Sequence, residues 1–433
     1  MRANLRDIVE RNRSGAAVAL PSVCSSHPDV IAAAALLARR HEQPLLVEAT
    51  SNQVNQFGGY TGMKAADFIG FVANICARAG LPRERVIFGG DHLGPQAWRD
   101  QDAERAMAHA ADLVRSFVEA GFTKIHLDCS EGCRGEDAQV SDAVSAERTA
   151  RLAAVCEQHA PAREDISYIV GTEVPPPGGA RASDGAHGIV PTSPESARAT
   201  LDAQQRAIES VASSEAWGRV VGLVVQPGLE FSGDHIDHFN PGSPDRLSPI
   251  LADYPGLCFE AHSTDYQQPQ VFPELARRHF AILKVGPALT FAYRQAVYAL
   301  DHVRNWYEAP KGRAPLADTM EALMLAAPAN WERHYHGTAE DVRRLRHFGY
   351  ADRIRYYWNR PEAEAAVRDL IASLEERRLL VPMLEQYFPQ DVIARAEGLA
   401  EYMPSWPRAL ILATVQEALL PYFKVGPGGA DSR

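Results

Sequence analysis

The sequence predicts a (β/α)8 TIM barrel with a C-terminal helical extension. Three observations carry that expectation. A short apolar, β-branched run, a polar tip and a helix-like stretch recur eight times in order. Strands alternating with helical segments predict parallel βαβ units. The tips gather acids, histidines and a lysine, the chemistry found where barrel strands end. They read Ser22-Val23-Cys24-Ser25, Glu48-Ala49-Thr50-Ser51-Asn52, Gly90-Asp91-His92-Leu93-Gly94, His126-Leu127-Asp128, Gly171-Thr172-Glu173, Gln226-Pro227-Gly228, Glu260-Ala261-His262 and Lys284-Val285-Gly286. A barrel takes about 250 residues, so a chain of 433 has room for more. Residues 1–307 read as the barrel and 308–433 as helices packed on it.

The first helix runs from about Pro28 to Arg40 and stops before Gln43-Pro44. The run Leu45-Leu46-Val47 then leads into Glu48. A second helix spans about Lys64 to Ala79, with Phe68, Phe71 and Ile75 at helical spacing. Asp102–Gly121 and Ser141–His159 read as further amphipathic helices. Two long loops follow strands five and six, one through Pro175 to Gly188 and one from Phe231 to Gly242. Both fall on the active face, where long loops serve as lids or as plain solvated connections. The barrel closes near Leu300–Tyr307. Beyond it, helices are expected around Leu316–Ala327, Ala339–Phe348, Glu362–Glu375 and Trp406–Tyr422.

Composition excludes several classes. The net charge of −11 argues against a general nucleic-acid or anionic-membrane surface. No apolar run approaches the ~20 residues of a membrane span. The N-terminal stretch lacks the apolar core of a signal peptide. The six cysteines, Cys24, Cys76, Cys129, Cys133, Cys156 and Cys258, are scattered through the chain. That is no disulfide framework, and a reducing, cytoplasmic setting is expected.

Side chains alternate across a strand, so Glu260 shares a face with His262, and His126 with Asp128. With Val225 and Ile282 packed outward under the helices, His262, Asp128, His92, Glu173 and Lys284 surround one opening. Such a His/carboxylate set suits a divalent ion, zinc, or manganese where oxygens dominate. The expected ligands are His92, His262 and Glu173. A metal with an open position polarises a carbonyl, and Asp91 takes a hydroxyl proton, with Glu173 as a second acid or base. The competing reading makes Asp91 a helix cap and His92 a turn residue. His126 reads as a satisfied interior residue. Asp128 is either a substrate contact or a carboxylate orienting a ligand histidine. Lys284 invites a Schiff base, but an ion pair with Glu260 or a substrate phosphate contact is the simpler role. Cys24 and Cys129 read as small packing residues.

Remaining substrate contacts are expected from the amide- and hydroxyl-rich run that begins at Glu48 and includes Asn52, from Gln226, and from Gly286. The segment Val285–Thr290 opens a helix, whose N–H groups attract anions unless it is an ordinary Gly-Pro helix start. Arg353, Arg355, Tyr356 and Tyr357 form a basic-aromatic cluster. It suits a substrate phosphate, a partner chain, or a buried network. No G-x-x-x-x-G-K-[ST] motif occurs, so a nucleotide-dependent kinase is disfavoured.

These segments together resemble the GatZ/KbaZ (AgaZ) family linked to tagatose-1,6-bisphosphate aldolase. The resemblance is carried by EATSNQVNQFGGYTGM from Glu48 to Met63, GGDHLGP from Gly89 to Pro95, KIHLD from Lys124 to Asp128 and GTEVP from Gly171 to Pro175. It continues through EAHSTDYQ from Glu260 to Gln267, HFAILKVGPALTF from His279 to Phe291 and DRIRYYW from Asp352 to Trp358. It implies a barrel acting in galactitol, tagatose or N-acetylgalactosamine catabolism, as a non-catalytic companion that supports a separate class II aldolase chain in a homo- or hetero-oligomer. Other relatives look like metal-dependent ketose 4-epimerases. The Asp91-His92 pair looks like the class II aldolase pair in which Asp transfers the proton and His binds zinc. Three functions follow as expectations: an aldolase subunit, a metal-dependent aldolase or 4-epimerase acting on a ketose or ketose phosphate, and a sugar-binding module.

Overall fold

The computed structural model describes residues 3–171, 189–307, 314–375, 377–400 and 405–427. Eight parallel strands close into a barrel: β1 Leu20–Cys24, β2 Leu45–Thr50, β3 Val86–Leu93, β4 Lys124–Leu127, β5 Ser167–Val170, β6 Val220–Val224, β7 Cys258–Ala261 and β8 Phe280–Val285. Each strand pairs with its sequence neighbours, and β1 closes on β8. The expected tips lie at the C-terminal ends of these strands, Thr172 and Glu173 of the fifth falling outside the described residues.

The predicted helices form at Pro28–Arg40, Ala65–Arg78, Ala103–Ala120 and Asp142–His159. Asp102 and Ser141 cap the last two through backbone N–H groups of Arg105 and Val144. The sixth repeat departs from the pattern. After β6 the chain makes a two-stranded hairpin, Glu230–Phe231 with Ile236–Asp237, and then only a 3-10 turn at Ser248–Asp253. Pro241, Pro244, Pro249 and Pro255 punctuate that stretch and deny it a continuous helix.

A helix that the sequence reading did not include, Leu5–Arg13, plugs the N-terminal end of the barrel. Leu5, Ile8 and Val9 meet Leu20, Leu46, Ile87, Ile169, Val221 and Ile282 in a separate apolar cluster inside the barrel. Ile282 therefore points inward, against the expectation that it packs under the helices. The period of two explains the outcome: Ile282 and Lys284 share a face, and Lys284 faces the barrel interior. Val225 does join the outer core as expected.

The tail helices at Leu316–Ala326, Ala339–Phe348, Pro361–Glu375 and Trp406–Phe423 lie close to the expected spans, and a further helix forms at Gln390–Ala400. The 406–423 helix is apolar around most of its circumference, as a buried helix must be. It packs between the 28–40 and 287–307 helices. Phe423 accepts from Gln43 Nε2 at 2.9 Å, and Tyr422 donates its hydroxyl to the Thr264 carbonyl at 2.9 Å. The chain's end is thereby tied to the barrel wall. No helix among the described residues is long and apolar enough to cross a membrane.

Candidate active site

The site is built on register. Glu48 pairs with Gly89, and Gly89 with Lys124, across β2, β3 and β4. A Cβ at Gly89 would stand 2.7 Å from Glu48 Oε1. Glycine there opens the gap through which Lys124 reaches Glu48. The fully buried Lys124 ammonium sits 2.6 Å from Glu48 Oε1 and 2.8 Å from Glu260 Oε2. Above it, Lys284 pairs with Asp91 and lies 3.2 Å from both Glu48 and Glu260. Two lysines thus balance three carboxylates across the barrel. The simpler reading of Lys284, an ion pair with Glu260, matches this geometry. Burial opposes the charge on Lys284, but Asp91, Glu48 and Glu260 outweigh it and hold the ammonium well above its usual range. A permanently protonated amine is unsuited to Schiff-base attack.

Three imidazoles surround Asp91. Ring centroids lie 4.8 Å apart for His92 and His126, 4.9 Å for His92 and His262, and 5.3 Å for His126 and His262. Each ring has one nitrogen bound to an oxygen that can only accept, or accepts when ionised. His92 Nδ1 is 2.7 Å from Asp128 Oδ2, His126 Nε2 is 3.0 Å from the Gly171 carbonyl, and His262 Nε2 is 2.9 Å from Glu260 Oε1. The backbone N–H of His92 also donates to His126 Nδ1 at 3.2 Å. In neutral rings these contacts place the lone pairs on His92 Nε2, His126 Nδ1 and His262 Nδ1. His126 Nδ1 is 3.1 Å and His92 Nε2 3.7 Å from Asp91 Oδ1.

For His92 and His126, lone pairs near the Asp91 carboxylate with the far nitrogens held by acceptors are the arrangement of oriented metal ligands. One donor atom from each of Asp91, His92, His126 and His262 falls within 4.8 Å of the others. The donor set fits a divalent ion of the zinc type. The second carboxylate trio, Glu48, Asp91 and Glu260, also falls within 4.8 Å, but two of its three charges are already offset by Lys124 and Lys284.

Electrostatics follow from this packing. Burial opposes ionisation of Asp91, yet His92 and Lys284 outweigh it and keep the carboxyl well below its usual range. His92 is raised, burial being overcome by Asp91 and Asp128. Burial and Lys284 drive His262 well down. Backbone strain marks the same place. His92 and Ser263 adopt φ of +47° and +51°, a left-handed conformation that costs about 1–3 kcal/mol and clusters at functional sites.

Other expected residues fall variously. Asp128 holds His92 and also accepts from Ser130 Oγ at 2.6 Å, the geometry of an orienting group. Asn52 is exposed, while its neighbour Gln53 lines the cavity over the site. Gln226 is buried, and its Oε1 accepts from the N–H groups of Gly228 and Leu229, shaping the loop after β6. Gly286 lines the cavity, but the Asp265 carboxylate takes its N–H and that of Ala288. The opening of the 287–307 helix is therefore already capped and offers those donors to no anion. Glu173 and the 175–188 loop lie outside the described residues. Cys24 Sγ is 3.4 Å from Asp91 Oδ2. In the basic-aromatic cluster, Tyr357 is fully buried and Arg353 Nε bonds the Asn330 carbonyl, whereas Arg355 faces the cavity. Sequence reasoning passed over Lys124 and set His126 aside as an interior residue. The period-two alignment of Lys124, His126 and Asp128 was the signal available for both.

Fold and site together define a (β/α)8 barrel protein with a buried Asp/His cluster at its C-terminal mouth whose donor atoms could hold a metal ion. The comparisons narrow this. The model for the family "D-tagatose-1,6-bisphosphate aldolase subunit GatZ/KbaZ-like" matches residues 5–426, and the chain belongs to that family. A relative from Agrobacterium fabrum (strain C58 / ATCC 33970), named D-tagatose 6-phosphate 4-epimerase, is 45% identical over 424 residues, 98% of each chain. A crystal structure described as a probable tagatose 6 phosphate kinase from Sinorhizobium meliloti 1021 is similar at 43% identity and TM-score 0.84, covering 94% of this chain and 100% of its own.

Proposed function

We propose that this protein is a ketose-phosphate 4-epimerase working by retro-aldol and aldol steps, with D-tagatose 6-phosphate as its substrate. One observation carries the reading: Asp91 stands anionic among three oriented imidazoles and beside Lys284 at the barrel mouth. The name of the Agrobacterium fabrum relative, 45% identical over 424 residues, supports the choice of substrate. The Sinorhizobium meliloti description as a kinase does not transfer, because this chain has no phosphate-loop motif.

His92, His126 and His262 are the residues that would hold a divalent metal. When bound, it supplies polarisation of the substrate's C2 carbonyl. Asp91 takes the proton of the C4 hydroxyl. The C4–O bond becomes a carbonyl as the C3–C4 electron pair moves to C3, leaving an aldehyde and an enediolate. The aldehyde turns its other face, C3 re-attacks, and Asp91 returns its proton to the new C4 alkoxide. Atoms and electrons balance with no added reductant. Lys284 keeps Asp91 ionised between turnovers, and Asp128 and Glu260 fix two of the rings.

Incubating the purified protein with D-tagatose 6-phosphate and Mn²⁺ or Zn²⁺, followed by NMR, tests this. Conversion to D-fructose 6-phosphate, the C4 epimer, is expected. Absence of conversion with every metal sinks it. The family's description favours a second reading, a subunit supporting a class II aldolase chain. That reading requires this protein to change the activity or melting temperature of such a chain.

A further inference from the structure

A cavity of about 660 Å³ lies between the barrel mouth and the C-terminal helices, with Cys24, Ser25, Gln53, Tyr60, Gly286 and Arg355 on its wall. Cys24 touches both worlds: it lines this cavity and its Sγ stands 3.4 Å from Asp91 Oδ2. One wall of the cavity therefore stands a single side chain, Cys24, from the Asp91 carboxylate.

Arg355 is one of three arginines on this wall, with Arg368 and Arg408. Its Nη1 is anchored on the backbone carbonyls of Ala351 and Asp352, and Nη2 donates to the Tyr356 hydroxyl at 2.9 Å. No carboxylate pairs with it, and Nε meets no protein acceptor, among the described residues. Four other arginines pair with carboxylates. Arg294 pairs with Asp352, Arg304 with Asp301, Arg346 with Glu321, and Arg408, also on the cavity wall, with Asp29 at 2.7 Å. Arg355 is half-buried, and even partial withdrawal of a guanidinium from water without a counter-ion is costly. Here the side chain is held rigidly by neutral carbonyls, its remaining N–H groups left to the cavity. The local potential is positive: although burial opposes it, Arg355 and Arg353 pull the Tyr356 phenol below its ordinary range.

We propose that Arg355 is the phosphoryl-binding residue of this protein, anchoring the phosphate of a sugar phosphate whose reacting carbons reach Asp91 past Cys24. The inference rests on the ketose-phosphate reading and supplies its specificity. A planar fork held in place matches phosphate oxygens in a bidentate manner that a flexible lysine does not.

Two measurements test it. In the first, the ratio of kcat/KM for D-tagatose 6-phosphate over D-tagatose is compared among the wild-type protein, Arg355→Ala and Arg355→Lys. A charge-assisted contact of this kind predicts a fall of about 10- to 100-fold in the alanine variant, with partial recovery in the lysine variant. An unchanged ratio overturns the assignment. In the second, wild-type protein is treated with phenylglyoxal with and without inorganic phosphate, and Arg355 labelling is read by peptide mass mapping. Phosphate is expected to protect Arg355, and equal labelling overturns the proposal even where the alanine variant fails to fold. The two readings fail separately. Turnover of D-tagatose 6-phosphate with an unchanged ratio removes the subsite and leaves the activity. Protection by phosphate without turnover of any ketose phosphate removes the activity and supports the subsite.

Discussion

Asp128 Oδ2 lies 2.7 Å from His92 Nδ1, so the carboxylate sets the tautomer and tilt of a ring whose other nitrogen faces Asp91. Removing such an orienting partner typically costs 10–100-fold in metal affinity. Asp128→Ala is expected to lose divalent metal by about that factor while staying folded. Chelator competition followed by metal analysis measures it, and wild-type affinity would refute the orienting role.

Each of His92→Ala, His126→Ala and His262→Ala is expected to lose at least as much metal as the Asp128 variant, since each removes a nitrogen donor rather than its support. His126 is the sharpest case, because both its nitrogens are also hydrogen-bonded inside the barrel. Full metal retention in His126→Ala would return it to a purely structural role.

Asp91→Asn keeps shape but cannot accept the proton of the C4 hydroxyl. Loss of a general base costs about 10²–10⁴-fold, and kcat is expected to fall within or beyond that range with the melting temperature nearly kept. Lys284 retains Glu48 and Glu260 at 3.2 Å, which limits the structural damage. A large fall in melting temperature with activity intact would make Asp91 a structural residue.

Lys124→Met tests the buried charge network. It strands Glu48 and Glu260 with a single remaining cation. Breaking a buried pair from one side costs about 3–5 kcal/mol, a large share of a typical ~5–15 kcal/mol stability. A shift in the urea midpoint worth less than about 1 kcal/mol would show that the carboxylates relax into other partners.

Glu230 gives a pH signature away from the metal ligands. Burial pushes its carboxyl from 4.5 up to about 8. Between those values the native state keeps a proton that the unfolded chain has released, so the unfolded state binds fewer protons and stability falls as pH rises. Glu230→Gln is expected to flatten that decline, gaining over the wild type from pH 5.5 towards 8.5 in parallel thermal melts. Parallel wild-type and variant curves would show that Glu230 ionises freely.

The strand tips were legible because barrel strands are buried runs with chemistry at one end, a one-dimensional pattern. Seven of the tips, and Gly171 of the eighth, lie at strand ends as expected, and the 28–40 and 339–348 helices take the expected spans. The plug helix escaped notice because only Leu5, Ile8 and Val9 are apolar in a charged stretch. The missing sixth helix was announced by four prolines, yet an eightfold template hides an exception. The two readings of the segment opening at Gly286 were not separable in sequence, because a donor's availability depends on what folds against it, and Asp265, which takes the Gly286 N–H, lies 21 residues away in the chain.

Composition and spacing by themselves determined the barrel, the helical tail and the list of acids and histidines at the mouth, since local periodicity encodes which face is buried. Only the tertiary structure decided how those groups pair. Barrel closure sets the register that sends Lys124 across Gly89 to Glu48 and turns His126 toward Asp91, and the packing of the tail leaves Arg355 on the cavity wall with no carboxylate paired to it among the described residues. Such charge balance is a property of neighbours contributed by different strands and helices, and short-range sequence cannot express it.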